Sequence, residues 1–174
     1  IVNEIVGQSG WSSGNNLCIL FERVSGSGIR WVESARANTE HYAASTGGSG
    51  MTPALEVAPG PPPSAPPPPP LVYAVAGRQN SAEQFVSNGG MYLDSSDLEL
   101  MHDGSAQQIV GIVFPSLTVN AAQVGPTRIA FDVDEIREQS SQSVAIRIFG
   151  ELSPNAAMPS SSANDLSSRT RTAA

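Results

Sequence analysis

The sequence has few of the features that mark the common functional classes. Its 174 residues include one cysteine, so a disulfide within the chain is impossible. Charged residues make up only 14% of the chain, against roughly 25% in an average globular domain. The nine basic residues are scattered singly, and the net charge is −7. A nucleic-acid or membrane-surface partner is therefore not predicted, and no apolar run reaches the roughly 20 residues of a membrane span.

Patterns of catalytic and zinc sites are also missing. His41 and His102 lie near no Gly-x-Ser-x-Gly motif or cysteine partner, and no zinc-ligand spacing occurs. We predict that the chain is not an enzyme, although carboxylate spacing alone leaves a paired-carboxylate glycosidase open. Cys18 lies in the apolar run LCILF, where a cysteine is usually a small buried hydrophobe. An intermolecular disulfide is the alternative for this residue.

Proline is concentrated in one stretch. Residues 59–70 read PGPPPSAPPPPP, with nine prolines in twelve positions. Such a run favours an extended polyproline II conformation, about 37 Å long for twelve residues. The stretch therefore predicts a semi-rigid linker. It divides the chain into a first half, residues 1–58, and a second half, residues 71–174.

The first half predicts one short helix and then strands. Ile1, Val2, Ile5 and Val6 fall on one helical face, and the glycine-rich residues that follow end the helix. The apolar run NLCILFERV predicts a buried strand, and the alternating IRWVE predicts its hairpin partner. The segment ALEV predicts one more short strand before the linker.

The second half is rich in strand signals. LVYAVAG predicts a strand directly after the linker, and a polar stretch, residues 78–90, separates it from MYLDSSDLEL. The segments QIVGIVF, TRIAFDV and SVAIRIF are β-branched and aromatic, and turn residues lie between them. Residues 153–174 lack any periodic apolar face and predict loop or disorder. The predicted fold is all-β, an antiparallel sandwich of immunoglobulin-like or jelly-roll-like type, split by the linker.

Several ordered motifs resemble one known module. MYLDSSDLELMHDGSAQQIVGIVFPSLTV, followed by RIAFDVDE, AIRIFGE and DLSSRTRTA, resembles a β-sandwich module that recurs in large secreted multidomain proteins of bacteria and algae. The resemblance covers about residues 79–174 and implies a sandwich without an assigned catalytic activity. EIVGQSGWSSGNNLCILFERVSGSGIRWVES, in the first half, is similar to the closing segment of the same module. At NSAEQ the family has a more acidic run, which argues against carrying over a metal site.

The resemblance places the two halves in reversed order. Residues 1–58 would be the C-terminal part of one module, and residues 71–174 the N-terminal part of the next. Each half then needs a partner to cover it, and identical units joined head to tail form an open filament. The chain would be either a tandem repeat or a subunit that exchanges halves. The residues expected to pack between units are Ile5, Val6, Trp11, Leu17, Ile19, Phe21 and Trp31.

Acidic and aromatic residues supply two further candidate sites. A calcium site is one interpretation of Asp94, Asp97, Glu99 and Asp103, with solvated strand ends as the alternative. A second acidic group, at Asp132, Asp134 and Glu135, is a weaker candidate. A sugar-binding platform is one interpretation of the aromatic residues, against packing in the core. These aromatic residues are Trp11, Trp31, Tyr42, Tyr73 and Tyr92.

The proline stretch is itself a candidate modification site. It resembles the extensin-type and pherophorin-type segments of secreted algal and plant proteins, which implies hydroxylated prolines that carry O-linked arabinose or galactose. An unmodified linker is the alternative. The candidate residues are Pro61, Pro62, Pro63, Ser64, Pro66, Pro67, Pro68, Pro69 and Pro70.

Together these features predict a structural protein. We expect a repeat unit of an extracellular filament, sheath or appendage that assembles with copies of itself. A carbohydrate-binding or adhesion module of a secreted protein is the alternative. Neither function requires a cofactor.

Overall fold

The computed structural model describes residues 1–34, 52–59, 70–75, 77–121, 124–134 and 141–173. It confirms the all-β prediction, with one short helix near the N-terminus, α1 (Val2–Val6). No helix in these ranges is long and apolar enough to cross a membrane. The linker prediction for residues 60–69 lies outside the described residues. The strands are β1 (Asn15–Gly26), β2 (Arg30–Glu33), β3 (Ala54–Pro59), β4 (Leu71–Ala74), β5 (Ser81–Phe85), β6 (Met91–Tyr92), β7 (Asp97–Leu100), β8 (His102–Asp103), β9 (Ala106–Leu117), β10 (Val124–Ala130) and β11 (Val144–Gly150).

The strands form a large sheet and two smaller ones, and all the pairs are antiparallel. The large sheet, called the main sheet below, has the order β11-β1-β9-β5-β6, and β8 pairs with β9. The second sheet has the order β10-β3-β4, and the third consists of β2 and β7. Side chains from all three sheets and from α1 share one hydrophobic core. The smaller sheets and the helix therefore cover one face of the main sheet.

The strand β1 is buried on both faces, which explains its continuous apolar run. Leu17, Ile19 and Phe21 belong to the core beneath the smaller sheets. Cys18 and Leu20 point to the opposite face, where they pack in a second cluster. Cys18 is fully buried, so its interpretation as a small core hydrophobe is confirmed.

The tail after β11 covers that opposite face. Ala156 and Leu166 are buried in the second cluster, although residues 153–173 contain no strand longer than an isolated bridge. Of the two sequence interpretations, loop rather than disorder is correct for these residues. A few buried side chains hold the tail, which is why it shows no sequence periodicity.

Two local predictions in the sequence were wrong. The segment IRWVE is not the hairpin partner of β1, because both edges of β1 are already paired, with β9 and β11. At the end of β1, Gly26 has φ +94, and a Cβ there would collide with the Ser143 carbonyl. The chain thus turns away tightly, and β2 pairs with β7 instead. The stretch taken as a polar separator contains β5, whose Ser81, Ala82 and Glu83 are buried.

Candidate functional site

The two halves of the sequence meet across a continuous interface within one chain. β1, from the first half, lies between β9 and β11, both from the second half. β3 likewise lies between β4 and β10, and β2 pairs with β7. Every strand of the first half that the structure describes is therefore paired with strands of the second half.

Side chains predicted to pack between units are buried at this interface. Ile5, Leu17, Ile19 and Phe21 are at most 2% exposed. Val6 and Trp31 are also buried, at 4% and 5% exposed. Trp11 is half-buried at the edge of the core, and its Nε1 donates a 2.9 Å hydrogen bond to the Val119 carbonyl. All of them except Trp31 belong to or pack against the core that both halves form, and Trp31 lies on β2, which pairs with β7 of the second half.

At two places the end of one half lies next to the start of the other. Val57 pairs with Leu71, so the two ends of the proline-rich stretch lie side by side on neighbouring strands. At the other end of the second half, the backbone N–H of Ala173 donates to Glu4 Oε1 at 3.4 Å. The last described residue of the second half is therefore adjacent to α1 of the first half.

A buried arginine fixes the tail. The Arg169 side chain is 6% exposed and contacts Glu151 Oε2 at 2.6 Å and Asp165 at 3.3 Å. It also donates to the Ala157 and Met158 carbonyls. The neighbouring Cys18 thiol has a pKa raised to about 12, mainly by burial, so it stays protonated and unreactive. One guanidinium thus holds the tail to Glu151, the residue directly after β11 of the main sheet.

An apolar groove opens between α1, β1, β3, β10 and β11. Its volume is about 480 Å³, and both halves line it, with Val2, Ile19, Phe21, Val124, Ile129 and Ile148 among the lining residues. The groove lies beside β10 and β11, each of which forms one edge of its sheet. Ile148, at 40% exposed, is one of the large apolar side chains left accessible.

The predicted calcium site is not formed. Among the described residues no three His, Cys, Asp or Glu side chains are grouped closely enough to hold a metal ion. Asp94 precedes β7 in an extended segment, and Asp97, Glu99 and Asp103 are spread over β7 and β8. In the second acidic group, Asp132 and Asp134 follow β10 on either side of Val133, which forms a bridge with Val32, and Glu135 lies outside the described residues.

The structure instead pairs Glu99 with a residue that the sequence did not indicate. Glu83 on β5 is completely buried, and its Oε1 accepts a 2.9 Å hydrogen bond from the Glu99 backbone N–H. Burial, the Glu99 charge and a hydrogen bond to the Glu99 carboxyl raise the pKa of Glu83 to about 9. The pKa of Glu99 is also raised, mainly by burial. One buried and one half-buried carboxyl group therefore lie next to each other between β5 and β7.

Of the candidate aromatic residues that the structure describes, Tyr92 alone is exposed. Trp31 is buried, Trp11 packs against the core, and the Tyr73 hydroxyl lies 2.9 Å from Thr118 Oγ1. Tyr92 is 48% exposed, but it lies on β6, on the far edge of the main sheet. Tyr42 and the candidate modification sites from Pro61 to Pro69 are outside the described residues, and Pro70 is exposed just before β4.

No protein-family model, curated protein or solved structure matches this chain.

Proposed function

We propose that the chain is a structural unit of an extracellular filament, sheath or appendage, and that successive units assemble by exchanging halves. In the assembled form, the first half of one unit completes the β-sandwich of its neighbour. The low charge and the proline-rich stretch of the sequence favour an extracellular role. The observation that carries the proposal is the interleaving of β1 and β3 between strands of the other half.

Because strands of the two halves are interleaved, exchange of halves between units changes the free energy little once the halves have separated. Each half alone exposes apolar surface, because Leu17, Ile19 and Phe21 share their core with residues of β7 and β9 from the other half. An identical half from another unit covers the same surface with the same contacts. Exchange of an identical element between protomers is a low-cost route to assembly for this reason.

The proline-rich stretch favours the exchanged form. Within one chain, the pairing of Val57 with Leu71 requires the two ends of the stretch to lie side by side. A straight polyproline II segment of twelve residues would separate its ends by about 37 Å. When the two halves belong to different sandwiches, no such constraint exists, and the stretch can act as a straight spacer between them.

The contact between Ala173 and Glu4 supports the tandem version of this arrangement. Because these residues are hydrogen bonded, a second half can be followed by the first half of another unit through a short connection. One sandwich would then consist of residues 71–174 of one unit and residues 1–58 of the next. Sandwiches would alternate with proline spacers along a continuous fibre.

Exchange can be detected with single-cysteine pairs across β1 and β11. Ser25 and Ala145 are exposed and are direct partners in the register, and such Cα separations suit a disulfide. We expect a mixture of Ser25→Cys and Ala145→Cys chains to form an interchain disulfide after prolonged incubation at high concentration. Non-reducing electrophoresis measures the yield, and negative-stain microscopy shows whether an axial repeat is present.

The matched control is a mixture of Ser25→Cys with Ser161→Cys, whose site is exposed but lies in the tail. The double variant Ser25→Cys/Ala145→Cys verifies that the pair can close within one chain. If the two mixtures gave equal dimer yields while the double variant oxidised fully, exchange of halves would be excluded. Native Cys18 is buried in the closed fold and is present in every mixture, so any disulfide that it forms on opening contributes to all the yields alike.

A permuted chain tests the connection at Ala173. We expect residues 71–174, joined by a linker of about four Gly and Ser residues to residues 1–58, to fold without the proline-rich stretch. The new ends are Leu71, at the start of β4, and Ala58, near the end of β3; they are neighbours at the ends of two paired strands, and Leu71 is exposed, so a chain break there should be tolerated. Circular dichroism and thermal unfolding should match the natural order.

A second permuted chain, opened between Gly111 and Ile112 in the centre of β9, serves as the control and should not fold, because both residues are buried in the main sheet. Equal failure of both permuted chains would contradict the proposed alternative order of the halves.

A further inference from the structure

The Glu83–Glu99 pair is the most unusual polar feature of the core. Glu83 Oε1 is bonded to the Glu99 backbone, but Oε2 is buried and lacks a partner other than the Glu99 carboxyl. Two carboxylates in contact cannot both be ionised without strong repulsion, whereas one shared proton turns that contact into a hydrogen bond. The arrangement therefore requires a bound proton to satisfy Oε2.

The groups that face the pair are acidic or neutral. Asp97 on β7 adds its charge to both carboxyls, and Asp103 on β8 acts on Glu99. Tyr92 on β6 lies opposite Glu83 in the sheet. In the part of the chain that the structure describes, neither carboxyl forms an ion pair with a cationic side chain. Nor do three or more His, Cys, Asp or Glu side chains come together there to hold a metal ion. A proton is thus the ligand that fits.

We propose that Glu83 and Glu99 form a proton-binding site that holds β7, and with it β2 of the first half, against the main sheet. The connection from the carboxyl pair to the first half runs through β7. Glu83 lies on β5 of the main sheet, Glu99 lies on β7, and β7 pairs with β2 from Arg30 to Glu33. Loss of the proton places a charge in this contact and weakens the closed sandwich. The role of the Glu83–Glu99 site in controlling the exchange of halves rests on the proposed function.

The direction of the pH effect follows from the raised pKa of Glu83. In the unfolded chain the group ionises near its ordinary value of 4.5, and in the folded chain near 9. The stabilisation is complete below about pH 4.5 and is lost progressively as the pH rises towards 9. Acid therefore favours the closed sandwich, and alkaline conditions favour opening and exchange of halves.

The first experiment is urea unfolding of the full chain between pH 6 and 8.5. We expect the folding equilibrium constant of the natural chain to fall, relative to that of Glu83→Gln, by up to about tenfold per pH unit. The amide of the variant keeps the shape of the protonated acid and cannot ionise. His41 and His102 are present in both proteins, so the difference between the two profiles isolates Glu83.

Two further variants keep the test decisive. Glu56→Gln removes a carboxylate whose partner, Arg128, stays charged over this pH range, and should leave the pH profile parallel to that of the natural chain. If Glu83→Gln fails to fold, Glu99→Gln tests the proposal instead. Removal of the Glu99 charge should make the stability of the chain depend less on pH. Carbon-13 NMR of the glutamate carboxyls should show one group titrating at alkaline pH that is absent in Glu83→Gln. Parallel profiles together with no alkaline titration would overturn the proposal.

A separate measurement distinguishes the proton site from the assembly proposal. Ser25→Cys and Ala145→Cys chains are incubated together at pH 6 or pH 8.5 and then oxidised at one common pH. Faster exchange at pH 8.5, lost when both chains also carry Glu83→Gln, supports control of assembly. A pH-dependent stability without any exchange would retain the proton site and reject the proposed function. Stabilisation of the natural chain by added Ca²⁺, lost in Glu83→Gln, would show that the pair binds a cation and would reject the proton site.

Discussion

Replacing Arg169 by methionine is expected to destabilise the protein by about 3–5 kcal/mol, because the change leaves buried carboxylates without a cation. Arg169 contacts both Glu151 and Asp165, whose side chains are 13% and 17% exposed. The same guanidinium donates to two backbone carbonyls of the tail. Methionine fills similar space but makes none of these bonds. Chemical unfolding should show the lower stability, and limited proteolysis should show early cleavage within the tail.

The control for Arg169 is an arginine on the same side of the fold with no comparable burial. Arg147 on β11 is exposed, and Arg147→Met should change stability by no more than about 0.5 kcal/mol. The triple variant Arg169→Met/Glu151→Gln/Asp165→Asn should recover part of the loss, because all three charges leave together. A triple variant as unstable as the sum of its single changes would contradict the ion-pair explanation.

The fold class was accessible from the sequence because it depends on local patterns. The apolar run NLCILFERV forms the strand that it predicts, β1. The helical spacing of Val2, Ile5 and Val6 likewise predicts α1 correctly. Strand partners were less accessible, since pairing depends on contacts between distant residues. Both edges of β1 pair with strands more than 80 positions away, such as Ile19 with Ile112 and Gly150. The hairpin pattern in the local sequence could not show that β9 and β11, rather than β2, pair with the edges of β1.

The polar sites were missed for a related reason. Candidate ligands were grouped by closeness in the sequence, which joined Asp94, Asp97, Glu99 and Asp103. The structure pairs Glu99 with Glu83, sixteen positions earlier, because β7 lies over β5. The segment SAEQF shows no apolar alternation, so nothing in the local sequence marked Glu83 as buried. The role of Arg169 was hidden likewise, since only the fold brings it to Glu151 and Asp165.

Truncating Phe114 is the second change with a large expected effect. Phe114 is completely buried on β9, and it lies opposite Leu17 of β1 in the register. We expect Phe114→Ala to destabilise the sandwich by about 3–5 kcal/mol, through lost apolar burial and the cavity left behind. Phe131→Ala is the control, since Phe131 is only partly buried and contacts Phe21 edge-on at 5.7 Å. Its loss should be clearly smaller in the same chemical unfolding experiment.

Phe114→Ala also distinguishes a change in exchange rate from a change in exchange equilibrium. If halves exchange between units, the Phe114–Leu17 contact is the same in the closed and the exchanged forms. The cavity then lowers the stability of both forms equally, so the ratio of monomer to oligomer at equilibrium should not change. The interchain disulfide between Ser25→Cys and Ala145→Cys chains should nevertheless form faster, because opening of the sandwich is easier. A shifted equilibrium ratio would mean that the two forms use different contacts, and simple exchange of halves would then be the wrong mechanism.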